Sequence, residues 1–195
     1  MLKYILLISG LIVISGGCKP PQKNAAGLSF DPYHYTITKK VEAQNGAVVS
    51  AHPLASKAGV SILKNGGNAV DAAIATQLAL AVVYPNAGNL GGGGFMVARL
   101  SNGETVSLDY REMAPGAAHR DMYLDADGKA NLEKSQSGHL SSGVPGTVAG
   151  LFAAHKHGKL SFEKLIQPAI ELAEKGFIIT ASEARSLNGL QNDLK

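Results

Sequence analysis

The sequence has 195 residues, of which 45% are hydrophobic and 17% charged, with a formal net charge of +3. That is enough apolar material for the core of one domain, so disorder is not the default reading, and the charged residues form no basic block that would support a nucleic-acid partner. Cys18 is the single cysteine, which excludes an intramolecular disulfide. The 23 glycines and the absence of tryptophan suit tight turns and close backbone packing.

Lys3 gives the N-terminus a positive start, and residues 4–14 are apolar apart from Ser9 and Gly10. Ser15, Gly16 and Gly17 then lead into Cys18. A charged start, a short apolar run and a small-residue exit predict a secretory signal peptide over residues 1–17, too short to be a membrane span. The Gly-Gly-Cys ending resembles a bacterial lipoprotein cleavage site, in which the cysteine becomes the lipidated N-terminus. Ser15 departs from that pattern, which usually has a large aliphatic residue there. The alternative is an ordinary signal peptide with an incidental cysteine. On the lipoprotein reading Cys18 is the lipidation site, and the protein is exported to the periplasm or cell envelope and held at the membrane by its lipid. Pro20, Pro21 and the polar residues after them show no periodicity, so residues 18–45 read as a tether. Within it, Tyr33, His34 and Tyr35 are expected to begin docking onto the folded body.

Residues 46–51 read as a first buried strand. Pro53 suits the first position of a helix, and Leu54, Ala58 and Ile62 then fall on one face. Asn65, Gly66 and Gly67 end that helix, and Asn68 caps a second one with Asp71 in its first turn. The second helix, residues 69–84, is apolar nearly all round and spans about 24 Å at 1.5 Å per residue. That length is short of a bilayer, and Asp71 and Gln77 point to a protein core. Pro85 stops it.

Gly91, Gly92, Gly93 and Gly94 launch the first strand of a hairpin that turns at Ser101, Asn102 and Gly103. Consecutive glycines read either as an anion cradle of backbone N–H groups or as a path that no side chain can share. No Lys-Ser or Lys-Thr follows, and a strand stands where a phosphate loop would have a helix, so packing is the favoured reading. On the second strand Val106, Leu108 and Tyr110 face one way and Thr105, Ser107, Asp109 and Arg111 the other. Asp109 and Arg111 are thus about 6.6 Å apart on one face. Asp109 or Glu112 is expected to hold the guanidinium in an ordinary ion pair, unless Arg111 grips a carboxylate in bidentate fashion.

Downstream, residues 126–129 read as a surface turn without calcium-ligand spacing. Ser142 lacks the context of a nucleophile elbow. His155 and His157 point to different sides of a helix from about 147 to 157, so neither this pair nor the scattered His52, His119 and His139 reads as a metal site. Ser161 opens another helix, in which Pro168 predicts a kink or restart and Gly176 the end. Ser182 is the expected cap of a last amphipathic piece carrying Leu187, Leu190 and Leu194.

The segments ILKNGGNAVDAAIATQLALAVVYPNAGNLGGGGFM, LDYREMAP and SGVPGTVAG together resemble the large subunit of the gamma-glutamyltransferase (gamma-glutamyltranspeptidase) family, collinearly from about Val48 to the C-terminus. The resemblance implies an α+β fold of the N-terminal nucleophile hydrolase type, an αββα sandwich, here only partly present. It makes residues 46–195 the N-terminal portion of the large subunit. Family precursors cut themselves into large and small subunits, and the threonine freed at the small subunit's N-terminus attacks the gamma-glutamyl amide of glutathione and similar compounds. The threonine's own amine can serve as base, so no separate triad is needed, and no cofactor or metal is expected. The REMAP arginine, Arg111 here, binds the substrate α-carboxylate. No segment resembles the start of the small subunit, so no catalytic residue is expected in this chain and the fragment alone is expected to be inactive. Two alternatives are a cephalosporin- or glutaryl-type acylase of the same fold and a non-catalytic lipoprotein remnant.

Overall fold

The computed structural model describes residues 27–37 and 39–192. Cys18, the signal-peptide reading and Leu194 lie outside the described residues. The elements run α1 (Pro53–Lys64), α2 (Ala69–Val83), β1 (Phe95–Arg99), β2 (Thr105–Asp109), α3 (Leu132–Gln136), a 3-10 turn (His139–Ser141), α4 (Thr147–His155), α5 (Phe162–Lys175) and α6 (Ala181–Gly189).

Helix α2 is the centre of the core. Asn68 and Asp71 form a reciprocal capping box at its start. Most of its apolar circumference is buried because α1, α4 and α5 pack around it, while Ala73 is exposed. Helix α1 presents Leu54, Ala55, Ala58 and Ile62 to it, all at most 3% exposed. Gly59 lets the two helices meet, since a Cβ there would run into the Thr76 hydroxyl. Asn65 closes α1, and Gly66 takes φ of 90°, a region open to glycine.

Helix α5 shows no restart at Pro168: it runs unbroken through that residue, which is buried within it. An interior proline costs roughly 3 kcal/mol. Burial of Leu165, Ala169 and Leu172, each at most 6% exposed, offsets that loss, at about 1.5–3 kcal/mol per leucine. Gly176 ends the helix at φ of 76°. The cap of α6 is Thr180, not Ser182: its hydroxyl accepts the Glu183 N–H at 3.2 Å, and the Glu183 carboxylate accepts the Thr180 N–H at 2.6 Å. The Thr-x-x-Glu signature of a capping box stands in the sequence.

Residues 46–51 do not form the expected strand. Val49 is 93% exposed. An apolar run becomes a strand only where a neighbour exchanges ladder bonds with it, and none of the described residues does so. The sheet consists of β1 and β2, antiparallel, in the register Phe95↔Asp109 to Arg99↔Thr105. The predicted alternation is observed: Met96 and Leu108 pack toward the core, and Phe95 and Val97 face outward.

Residues 28–35 lie along the end of α5 as a strap. The Leu28 N–H donates to Glu171 at 3.0 Å, the Tyr33 hydroxyl to the Lys175 carbonyl at 2.7 Å and the Tyr35 hydroxyl to the Ile178 carbonyl at 2.8 Å. Docking therefore begins before Tyr33, and His34 pairs instead with Asp31 at the surface.

His52 sits under this strap, 2% exposed. Its Nδ1 accepts the Leu54 N–H at 3.2 Å as the cap of α1, and its Nε2 lies 3.2 Å from the Glu183 carboxylate. Burial holds its pKa below the ordinary 6.5, with Glu183 pulling the other way. The folded state therefore binds fewer protons than the unfolded chain just below pH 6.5, and stability falls as the pH drops from there toward the folded-state value. His52→Asn keeps a cap acceptor and removes the titration. It is expected to flatten this part of the stability profile, measured by urea denaturation across the pH range.

Candidate functional site

The glycine block, the end of β2 and the start of α4 are woven together by backbone bonds. The Asn89 side-chain oxygen accepts the Gly92 N–H at 3.0 Å and the Thr147 hydroxyl at 2.6 Å. The Gly92 carbonyl accepts the N–H groups of Gly146 and Thr147 at 2.8 and 3.0 Å. Gly94 and Tyr110 exchange two bonds, at 3.0 and 3.3 Å, extending the ladder one pair beyond β1 and β2. A Cβ on Gly93 would lie 2.6 Å from the Tyr110 carbonyl oxygen and 2.7 Å from the Arg111 Cα. Gly92, Gly93 and Gly94 leave no room for a Cβ because strands and helix close on one another, as the packing reading expects, whereas Gly91 faces open space.

Tyr110 anchors this junction. Its ring fills a slot against Gly150 of α4, where a Cβ would overlap the ring. Its hydroxyl donates to Gln77 of α2 at 3.2 Å. Strand alternation then turns Arg111 to the opposite, exposed side. On its far side the chain is pinned again, because Met113 and Val144 exchange bonds of 2.8 and 3.1 Å. The backbone of Arg111 is thus fixed between two paired points while its side chain points outward.

The expected ion pair is not formed. Asp109 accepts the Arg111 backbone N–H at 3.1 Å, and no ion pair joins its carboxylate to the guanidinium. Among the described residues no carboxylate lies within salt-bridge distance of Arg111, Glu112 included. Its guanidinium lies instead 5.9 Å from the centre of the Phe95 ring. The strand end therefore presents a cation with five donors and no carboxylate beside it among the described residues, suited to a carboxylate from outside.

The sequence reading missed three supports of this arrangement: Phe95, Asn89 and the slot for Tyr110. The signal for Phe95 was available, because a turn at residues 101–103 fixes the register that brings residues 95 and 111 together. The segment around Ser142 lies exposed just before α4, with Gly143 against Glu112. His155 binds the Leu160 carbonyl at 2.7 Å, and no described cluster of three or more His, Cys, Asp or Glu is placed to hold a metal ion. A cleft of about 1270 Å³ lies beyond the hairpin, bounded by Ala47, Val49, Val60, Leu80, Phe95 and Tyr110. Arg111 is not in its wall.

A family model described as gamma-glutamyltranspeptidase matches residues 55–195. The glutathione hydrolase proenzyme of Escherichia coli (strain K12) is 47% identical over 182 residues, covering 93% of this chain and 30% of the relative. That of Bacillus subtilis (strain 168) is 42% identical over 194 residues, covering 97% and 31%. The chain therefore spans about a third of the length of these curated relatives. Among solved structures, Helicobacter pylori gamma-glutamyltranspeptidase is similar with a TM-score of 0.75 and 48% identity, over 78% of this chain and 44% of that one. A cephalosporin acylase from Bacillus halodurans is similar with a TM-score of 0.64 and 30% identity, over 85% and 31%. The α+β arrangement of hairpin and helices is part of the N-terminal nucleophile hydrolase fold that these enzymes share. With its glycine block, REMAP strand end and α4 turn in one woven junction, the chain belongs to the gamma-glutamyltranspeptidase family.

Proposed function

We propose that this chain is the N-terminal part of an exported gamma-glutamyltransferase, and that Arg111 binds the α-carboxylate of its gamma-glutamyl donor. The observation that supports this most is the state of Arg111: backbone pinned on both sides, side chain exposed, and no described carboxylate beside it. A carboxylate gripped by two parallel N–H donors fixes both the position and the plane of the donor.

The nucleophile is a threonine at the start of a small subunit, supplied from outside these 195 residues. Its hydroxyl attacks the gamma-glutamyl amide carbon while its amine takes the proton. The amine of the leaving group departs with a proton, and an ester remains. Water or an acceptor amine then opens the ester and regenerates the threonine. The chain presented here holds the substrate end of this reaction and has no turnover by itself. No cofactor or metal enters the steps. The substrates are glutathione and other gamma-glutamyl compounds. The protein sits at the bacterial periplasm or cell envelope, held by lipid at Cys18 and tethered by the residues after it.

The similarity to a cephalosporin acylase supports a second reading, an acylase of the same fold. Substitution separates the two. In the complete gene product, Arg111→Lys keeps the charge but loses the planar fork, so KM for a gamma-glutamyl anilide is expected to rise roughly tenfold with kcat little changed. An unchanged KM would count against the carboxylate grip and in favour of the acylase.

A further inference from the structure

The hairpin register places Gly93 directly across from Arg111, one pair beyond Gly94 and Tyr110. Gly93 brings no side chain to that face, and nothing larger fits there. The nearest cross-strand side chain on the face is therefore the diagonal neighbour, Phe95. Phe95 is 63% exposed, so most of it is not engaged in the core. The guanidinium carbon stands 5.9 Å from its centre, within the range of a cation–π contact. Asp109, directly opposite Phe95, accepts the Arg111 N–H instead of drawing the guanidinium toward itself.

We infer that Phe95 is a positioning residue for substrate carboxylate binding: its ring is the shelf that orients the Arg111 guanidinium. This rests on the reading that Arg111 grips the donor carboxylate. A ring that meets the face of the guanidinium leaves the N–H groups along its edge to a bidentate carboxylate, so the two contacts are compatible. A long side chain at a strand end with no ion pair has several rotamers, and the ring reduces them before substrate arrives. The benefit therefore falls on donor binding, through Arg111, and not on the chemical step.

The test compares Phe95→Leu, Phe95→Tyr and Arg111→Lys in the complete gene product with two donors. One is a gamma-glutamyl anilide, and the other is 4-aminobutyryl anilide, which lacks the α-carboxylate. Phe95→Leu is expected to raise KM for the gamma-glutamyl donor by roughly two- to fivefold, with kcat unchanged. It should leave kcat/KM for 4-aminobutyryl anilide as in the wild type, and Phe95→Tyr should restore the wild-type KM. Phe95→Met provides the same comparison if the leucine variant does not accumulate. An unchanged KM in Phe95→Leu, or an equal loss with both donors, overturns the shelf. An Arg111→Lys variant with wild-type KM overturns the carboxylate reading beneath it, so the two failures are told apart.

Discussion

Replacing Asp71 with alanine is expected to cost about 4 kcal/mol of stability, because several part-buried donors lose their fully buried acceptor together. The side chain is fully buried in the first turn of α2. It accepts the Asn68 N–H at 2.9 Å, closing the capping box. It also reaches across the fold to the Lys159 N–H, at 2.9 and 3.1 Å, and the Leu160 N–H at 3.5 Å. Asn68 adds a bond from its amide to the His157 carbonyl at 2.7 Å. One cap thus fastens the loop between α4 and α5 to the start of the central helix. Each orphaned buried N–H costs roughly 1–3 kcal/mol, and the cap and its favourable position at the helix start are lost as well. Asp71→Asn keeps the shape but exchanges one acceptor for a donor facing other donors, so about half the loss is expected. Urea denaturation of both variants checks this, and an Asp71→Asn midpoint equal to wild type would contradict it.

The second large effect is expected at Gly146. Its φ of −113° is open to any residue, so strain plays no part. The obstacle is space: an added Cβ would fall on the Tyr110 carbonyl oxygen and stand 3.0 Å from that of Arg111. These are backbone atoms and cannot rotate aside. The Tyr110 carbonyl is tied to Gly94 and the Gly146 N–H to Gly92, so relief requires separating the hairpin from α4. Gly146→Ala is expected to lose about 3 kcal/mol or more, as overpacking against fixed atoms does. Because Arg111 rides on the same strand end, donor KM should rise in the complete gene product as well. Gly91→Ala is the control, since a Cβ there meets nothing within 4 Å. It should melt like the wild type.

The features legible in the sequence were those written locally. Pro53, the Asn68–Asp71 cap and the alternation from Thr105 to Arg111 each specify structure within a few residues, and all stand as read. The cap of α6, Thr180 and not Ser182, was a local misreading; the larger ones concern partners far along the chain. Residues 46–51 have the composition of a strand but no described neighbour to pair with. Pro168 has the chemistry of a helix breaker, yet the packing of α5 against α2 overrides it. At the site, the place of Arg111 came from the REMAP resemblance and its face from alternation. Its surroundings did not, because the loss of the expected ion pair depends on where Asp109 turns, a choice made by the strand backbone.

The strap over α5 bears on the order in which the molecule assembles. The bonds from Leu28 to Glu171 and from Tyr35 to Ile178 each join residues 143 apart. Closing so long a loop in an otherwise unstructured chain carries an entropic cost on the order of 4 kcal/mol, more than either bond returns. The α1–α2 pair and the β1–β2 hairpin close over far shorter spans, and their packing draws the distant ends together before the strap engages. The N-terminal strap of the described body is thereby expected to settle last, after the helices and hairpin it crosses.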